Sequence, residues 1–433
     1  MRWLGGVLVV LVAGAPAMLR GAEPLEVGPV PEGMAVRSSA LESQGRFELI
    51  FSERAGGISA WYDLDRDPQR TCNLAGHGDL PTVALVTHAL TLAGSQWKEV
   101  LYSAPAETLN VPEDDAVRVQ LCLEGSYSPL AVAEEYQREG KKATPAGVPS
   151  RSSPIHFVTT YTVYPVGQLY VRHTLTAPPT TLKVASSEWL LSTAPTSDFR
   201  TLGSVSREAG AGPDFLLQTS NGPVHFGDVL LIPGRPGVPV TRWGERFLLG
   251  AAGGPQGARG ATRSGFEMHP PGTILGSEPS VWCCALHVEP DWVDRAELAS
   301  AVAEAYQRPP SLTVEPGWGE LLRGEGGDLN LDGYCEGEGC YTLRASPAGC
   351  RLTLDLSHAL LTSPVFRFAG WQGPPPTTIL VNGKRWSRGE NFQAVLLNAS
   401  TLLLQLYENR LSGQVTMEVT TGLTRPRTSA PLP

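Results

Sequence analysis

The stretch His156-Phe157-Val158-Thr159-Thr160-Tyr161-Thr162-Val163-Tyr164-Pro165-Val166-Gly167-Gln168-Leu169-Tyr170-Val171-Arg172-His173-Thr174-Leu175-Thr176 decides how this chain folds. Two runs rich in β-branched and aromatic residues flank Pro165-Val166-Gly167. Gly167 is free to take φ > 0, so the segment reads as a β-hairpin with a three-residue turn. Period two places Leu169, Val171, His173 and Leu175 on one face and Gln168, Tyr170, Arg172 and Thr174 on the other. Across the turn, Tyr164, Thr162, Thr160 and His156 join that second face. It therefore carries Tyr164, Tyr170, Arg172 and His156 together, while His173 belongs with the apolar face as a packed histidine.

Similar runs recur on both sides of the hairpin, at Phe47–Phe51, Ile58–Tyr62, Thr82–Leu92, Ala116–Leu123, Phe215–Thr219, Phe247–Gly250 and Val281–Val288. Gly-rich polar stretches separate them. No alternation of strands with crossover helices runs through the chain, which argues against a parallel α/β core. Two helices interrupt the pattern. Asp291 caps the first, with Asp294 in its first turn; Leu298, Val302, Ala305 and Tyr306 share one face, and Pro309-Pro310 stop it. The second takes Ser128 as N-cap, Pro129 at the first helical position and Gly140 past its end.

The fold class expected is mainly β: a large antiparallel sandwich over 23–310, a linker over 311–326 and a smaller sandwich over 327–421. A Pro/Thr/Ser-rich tail at 422–433 reads as disordered. In the second sandwich Asn382-Gly383 signals a type I′ hairpin, and Val415, Met417 and Val419 alternate with polar neighbours as in a half-buried strand.

Residues 1–22 read as an export signal, with Arg2, the apolar run Leu4–Val12 and the A-x-A-like site Ala15-Pro16-Ala17. A secreted, periplasmic or cell-surface location follows, with no membrane-spanning stretch in the mature chain. The 433 residues carry a net charge of −9 with no basic run, which excludes an electrostatic footprint for nucleic acid. Of the seven cysteines, Cys335 and Cys340 are the first candidates for a disulfide, with Cys350 as competitor. A zinc reading through Cys335, Cys340, Cys350 and His358 lacks a compact C-x-x-C pair. Cys283 and Cys284 point to opposite faces of one strand.

Asp328-Leu329-Asn330-Leu331-Asp332-Gly333 forms the first half of a D-x-N-x-D-G calcium loop, with side-chain oxygens at alternate positions and Gly for the turn. Calcium at Asp328, Asn330 and Asp332 is therefore an expectation, against an Asx-rich turn. The twelfth position is Gly339 rather than a carboxylate, and Glu338 stands one short. The Tyr164, Tyr170, Arg172 and His156 face offers what sugars bind to: rings for stacking and an Arg for a uronate carboxylate. The alternative is a polar face packed between layers. Trp371, Trp386 and Tyr407 form either an aromatic platform or core. Glu267 with His269, and Glu188 with Trp189, read as isolated. No G-x-S-x-G, H-E-x-x-H or Walker motif is present.

The block Gly56-Gly57-Ile58, Trp61-Tyr62-Asp63-Leu64 and Asp67-Pro68, together with Thr159 to Pro165 and Gly167 to Val171, resembles the galactose-mutarotase-like supersandwich. That fold also forms the β domain of polysaccharide lyases. The helix before Pro309 and the Asp332 to Tyr341 segment resemble exported bacterial proteins of this kind. The resemblance covers about residues 40–310. It implies carbohydrate contact without the helical toroid of the larger lyases and without a clear mutarotase His/Glu motif. The function expected is a secreted carbohydrate-binding or polysaccharide-processing protein with a glycan partner. The alternatives are a non-catalytic structural or cell-surface interaction module, and a lyase or glycosidase whose acid/base pair the sequence does not identify.

Overall fold

The computed structural model describes residues 25–38, 46–53, 56–71, 73–74, 83–93, 96–103, 106–126, 128–129, 155–177, 182–192, 199–204, 215–220, 228–234, 240–243, 263–267, 274–289, 296–407 and 411–422. Export signal, tail, His269, the 247–250 run and the helix expected over 130–140 lie outside them.

Hydrogen bonding within the hairpin follows its sequence. The strands His156–Val163 and Gln168–Thr176 pair antiparallel, with Thr162 opposite Tyr170, Thr160 opposite Arg172 and His156 opposite Thr176. Gly167 closes the turn at φ 78°, and its N–H donates to the Tyr164 carbonyl at 3.1 Å. The hairpin lies inside an eight-stranded sheet in the order Phe199–Ser204, Leu216–Ser220, Asp228–Pro233, Ser280–Glu289, Gln168–Thr176, His156–Val163, Val119–Ser126, Thr108–Asp114. Every pairing in this central sheet is antiparallel. A four-stranded sheet covers residues 25–63, and a seven-stranded sheet runs from Val240–Trp243 to Ser128–Pro129.

Both faces of the central sheet are buried, each for its own reason. Leu121, Phe157, Tyr161, Leu169, Val171 and Cys284 pack with Phe47, Leu49, Phe51 and Trp61 of the four-stranded sheet into one core. Tyr164, Tyr170, Leu230, Ile232 and Ala285 join a second core, shared with the helix Ala296–Gln307 and the C-terminal sandwich. Cys283 and Cys284 are both buried, with Cys284 in the first core. Val302, Ala305 and Tyr306 give the helix its buried face, with Leu298 packed beside them. Pro309 and Pro310 follow the last helical hydrogen bond, Arg308 N–H to the Glu304 carbonyl at 2.8 Å.

The C-terminal sandwich has a five-stranded sheet, in the order Leu312–Val314, Gly349–Leu361, Leu411–Thr420, Thr378–Val381, Lys384–Ser387. A six-stranded sheet faces it, built on Gly319–Leu321, Cys340–Ala345, Val365–Ala369, Thr401–Leu406 and Phe392–Asn398, with Tyr334–Cys335 paired beside Cys340–Ala345. Asn382 (φ 50°) and Gly383 (φ 73°) make the expected type I′ turn. Val415, Met417 and Val419 are buried and their neighbours are not, as the alternation required.

Two local expectations are corrected. Ser128 and Pro129 do not start a helix: they pair as a short strand with Ser103 and Tyr102. The stretch 311–326 supplies a strand to each C-terminal sheet, because Leu312 and Leu321 each have an apolar layer to join. The described residues contain one helix.

The central sheet and the C-terminal sandwich approach each other closely at Gly339. Its φ is 65°, and a Cβ there would lie 2.1 Å from the Tyr170 ring. Gly383 has a similar φ but open space around it. Gly339→Ala should therefore cost about 3 kcal/mol or more, and Gly383→Ala about 1 kcal/mol. Denaturant midpoints of the full chain would show the difference, and equal losses would mean that the Tyr170 contact is not tight.

Candidate functional site

Of the four side chains expected to form an open sugar-binding face, Tyr164, Tyr170 and Arg172 sit together under the turn at 337–339 and His156 lies apart from them. Tyr164 and Tyr170 are buried, Arg172 is half-buried and His156 alone is exposed. The turn after Tyr334–Cys335 lies across the first three. Tyr164 Oη donates to the Glu338 carbonyl at 2.7 Å, and Tyr306 Oη donates to the Glu336 carbonyl at 2.9 Å. The Tyr170 ring packs on Gly339, and the Arg172 stem packs on Gly337. Tyr170 makes edge contacts with Tyr164 at 5.8 Å and His287 at 5.9 Å, and lies tilted on Tyr306 at 5.8 Å. From Tyr306 the ring series continues through Tyr334 to Tyr341. Rings consumed by each other offer no stacking platform, so the structure corrects the open-face expectation for Tyr164 and Tyr170. His156 is held to Ser126 Oγ through Nδ1 at 3.0 Å, away from this cluster.

The electrostatics of this junction lock it. Arg118 is 2% exposed and ion-paired to Glu113 and to Glu338, which Arg367 also engages. Burial pushes the Glu338 carboxyl up, but the guanidinium groups of Arg118 and Arg367 outweigh it and hold the group below the usual carboxylate range. Sequence reading singled out neither arginine, because residues 118, 338 and 367 meet only through the fold. Cys335 and Cys340 face each other across paired strands as buried thiols. Their hydrogen bond raises the Cys335 thiol and lowers that of Cys340.

The Asp328–Gly333 loop folds as a set of Asx turns. Asp328 accepts N–H groups of Gly324, Asp332 and Gly333; Asn330 accepts that of Asp332; Asp332 accepts that of Tyr334. Among the described residues no three His, Cys, Asp or Glu side chains are placed so that they could hold a metal ion. Glu336, which sequence reading passed over, is wholly buried beside this loop. Burial pushes its carboxyl up to about 8, against the lowering pull of the N–H groups of Leu329 and of its own residue.

Trp371 is buried in the core and Trp386 and Tyr407 are half-buried, so they form no exposed platform. Glu188 and Glu267 are not isolated: they stand directly opposite each other on neighbouring strands.

An open concave surface lies elsewhere among the described residues. A cleft of about 610 Å³ runs over the outer face of the five-stranded C-terminal sheet. Alternation brings Thr313, Thr353 and Thr416 into one row across three strands, and Arg351 and Glu418 into the next. Arg351 lies over the Trp318 ring, 4.0 Å from its centroid, with its Nε 2.9 Å from Glu418 and its Nη1 3.6 Å from Glu315. Leu380 adds an exposed apolar edge. The cleft thus offers hydroxyls, a fixed guanidinium and two carboxylates within one shallow trough. Sequence signals for it were present only as the Val415–Val419 alternation.

His287 is buried against Tyr170, with Nε2 lacking a partner, and burial lowers its pKa to about 4. The unfolded chain takes up this proton near pH 6.5, before the folded chain does. Stability from neutral His287 is therefore complete above pH 6.5 and is lost as pH falls toward 4, by about 3 kcal/mol at most. His287→Gln should show a smaller stability loss than wild type between pH 7 and 4.5 in denaturant unfolding. Equal losses would mean His287 titrates freely.

Against known proteins, no family model matches the sequence, and no curated protein matches it either. Solved structures do resemble the fold. A polysaccharide lyase aligns over 87% of this chain at 10% identity and TM-score 0.35, and this chain spans 46% of that protein's length. Galactose 1-epimerase from Lactobacillus acidophilus aligns over 61% of this chain and 98% of its own, at 8% identity and TM-score 0.32. An aldose epimerase homologue from C. elegans aligns over 57% and 97%, at 10% identity and TM-score 0.27. These likenesses concern the mainly-β sandwich architecture and carry nothing about activity.

Proposed function

We propose that this chain is an exported carbohydrate-binding or polysaccharide-processing protein that holds a glycan in the cleft of its C-terminal sandwich. The observation that carries this reading is the row Thr313, Thr353 and Thr416 beside Arg351, Glu315 and Glu418 in a trough of about 610 Å³. Sugars present paired hydroxyl donors and acceptors around a C–H face. Threonine hydroxyls, carboxylates and an arginine answer the first, and Leu380 with Val314 answers the second.

The charge pattern narrows the class. Arg351 is already engaged by Glu315 and Glu418, so its guanidinium is not free to take a uronate carboxylate bidentately. A neutral polysaccharide suits the cleft better than an acidic one. Export through residues 1–22 belongs to the same proposal, since a polysaccharide partner lies outside the cell.

Thr353→Val and Thr416→Val keep the β-branched shape and remove one hydroxyl each. Each should weaken retention on a neutral glycan by about 3- to 10-fold, matching about 0.5–1.5 kcal/mol per hydrogen bond. Arg351→Ala should weaken it further with little loss of stability, because exposed ion pairs contribute about 0–1 kcal/mol. His156→Ala should change neither binding nor melting. Affinity electrophoresis across neutral and acidic polysaccharides reads all four. Retention abolished by His156→Ala and untouched by the cleft variants would overturn the assignment.

A further inference from the structure

The turn Glu336-Gly337-Glu338-Gly339 carries the carbonyls that Tyr306 and Tyr164 hold, and a cysteine stands at each end of it. Cys335 and Cys340 are direct partners across the antiparallel strands Tyr334–Cys335 and Cys340–Ala345. Facing residues of such a pair have Cα atoms about 4.5–5.5 Å apart, inside the span of about 4.4–6.8 Å that a disulfide bridges. The two thiols are hydrogen-bonded to each other. Cys335 Sγ lies beside Gly326 and Gly327, and Arg367 Nη2 stands 3.6 Å from Cys340 Sγ. Cys350, the competitor by sequence, belongs to the facing five-stranded sheet and stands opposite Val419. Cys122, Cys283 and Cys284 have no cysteine opposite them in their paired strands.

We propose that Cys335 and Cys340 are joined in a disulfide, formed by thiol–disulfide exchange while the chain folds. The oxidant is a second disulfide, of the class of oxidised glutathione or a protein disulfide oxidase. Cys340 attacks one of its sulfurs as the thiolate, the oxidant's S–S bond breaks and a first thiol leaves. Cys335 then gives up its proton and attacks the Cys340 sulfur, and a second thiol leaves. The two cysteines lose two protons and two electrons, which the oxidant takes up as its two thiols. The Arg367 guanidinium beside Cys340 favours a thiolate there, which makes Cys340 the attacking sulfur. Gly337 and Gly339 are required by the close approach of Arg172 and Tyr170, and two glycines make this turn costly to order. A crosslink between its ends removes that freedom from the unfolded chain. Burial then protects the bond, since Cys335 is 1% exposed and Cys340 0%. The pairing does not rest on the glycan cleft, nor on export, because the test supplies the oxidant.

The full chain is refolded in a glutathione redox buffer, unfolded in denaturant with an alkylating agent, and digested for mass spectrometry. The peptide holding Cys335 and Cys340 should be lighter by two hydrogens and carry no alkyl group, and it should accept both groups after reduction. The folded, oxidised chain should resist dithiothreitol at a concentration that reduces it fully in denaturant. Its Tm should stand about 2 °C or more above that of the reduced chain. Cys335→Ser with Cys340→Ser should melt with the reduced wild type, and Cys350→Ser should keep both the mass signature and the Tm difference. If the double variant does not fold, the mass signature of the wild type decides alone. Full alkylation of both cysteines after oxidative refolding, or Cys335 joined to Cys350, would overturn the proposal. An oxidised chain that melts no higher than the reduced one would overturn the stabilising role of the bond.

Discussion

The carboxylate of Glu338, sealed between the guanidinium groups of Arg118 and Arg367, is the interaction on which the arrangement depends. Arg118 precedes a strand of the central sheet, Arg367 lies on a strand of the C-terminal sandwich, and Glu338 sits on the turn between them. Removing three charges from water is recovered only when their geometry is fixed. The cluster therefore specifies one register of the two layers, while the apolar contacts around it supply most of the favourable free energy. The hydroxyls of Tyr164 and Tyr306 finish the turn by taking the carbonyls of Glu338 and Glu336. Gly337 and Gly339 let the backbone approach Arg172 and Tyr170 closely.

That clasp decides which surfaces are left for a partner. A sheet with two apolar faces must be covered twice, and the polar-looking side of the hairpin is covered by the helix and the 334–341 segment. Its aromatic rings become interlayer packing. The five-stranded sheet of the C-terminal sandwich buries one face against its partner sheet and leaves the other to solvent, where the row of threonines and the Arg351 ion pairs line the cleft. The cleft and the acidic loop are separate features of the same sandwich. The loop bears on the junction through Glu336, and the cleft does not touch it.

Much of the architecture was legible in the sequence because it rests on local rules. Period-two alternation placed Leu169, Val171 and His173 on one face and Gln168, Tyr170 and Arg172 on the other, in the register the hairpin adopts. Gly167 and Asn382-Gly383 marked their turns through the φ > 0 they require, and Pro309-Pro310 ended the helix for lack of amide donors. Ser128-Pro129 misled, since the same residues that cap a helix also pair as a short edge strand when Tyr102 and Ser103 stand beside them.

What the sequence determined by itself, then, was the antiparallel β class, the turns and the division of side chains between strand faces, because each is set by neighbours a few residues away. Whether a face meets solvent, another ring or a charge depends on residues as far as 174 positions away, as Tyr164 and Glu338 illustrate. Periodicity reports that Tyr170 and Arg172 are on the non-core side of their own strand; it does not report that a second layer arrives there. The meeting of Arg118, Glu338 and Arg367, the burial of Glu336 against the Asp328 loop and the trough beside Arg351 were decided only by tertiary structure. Each exists only where chain segments far apart in sequence are brought within hydrogen-bonding distance by the packing of whole sheets.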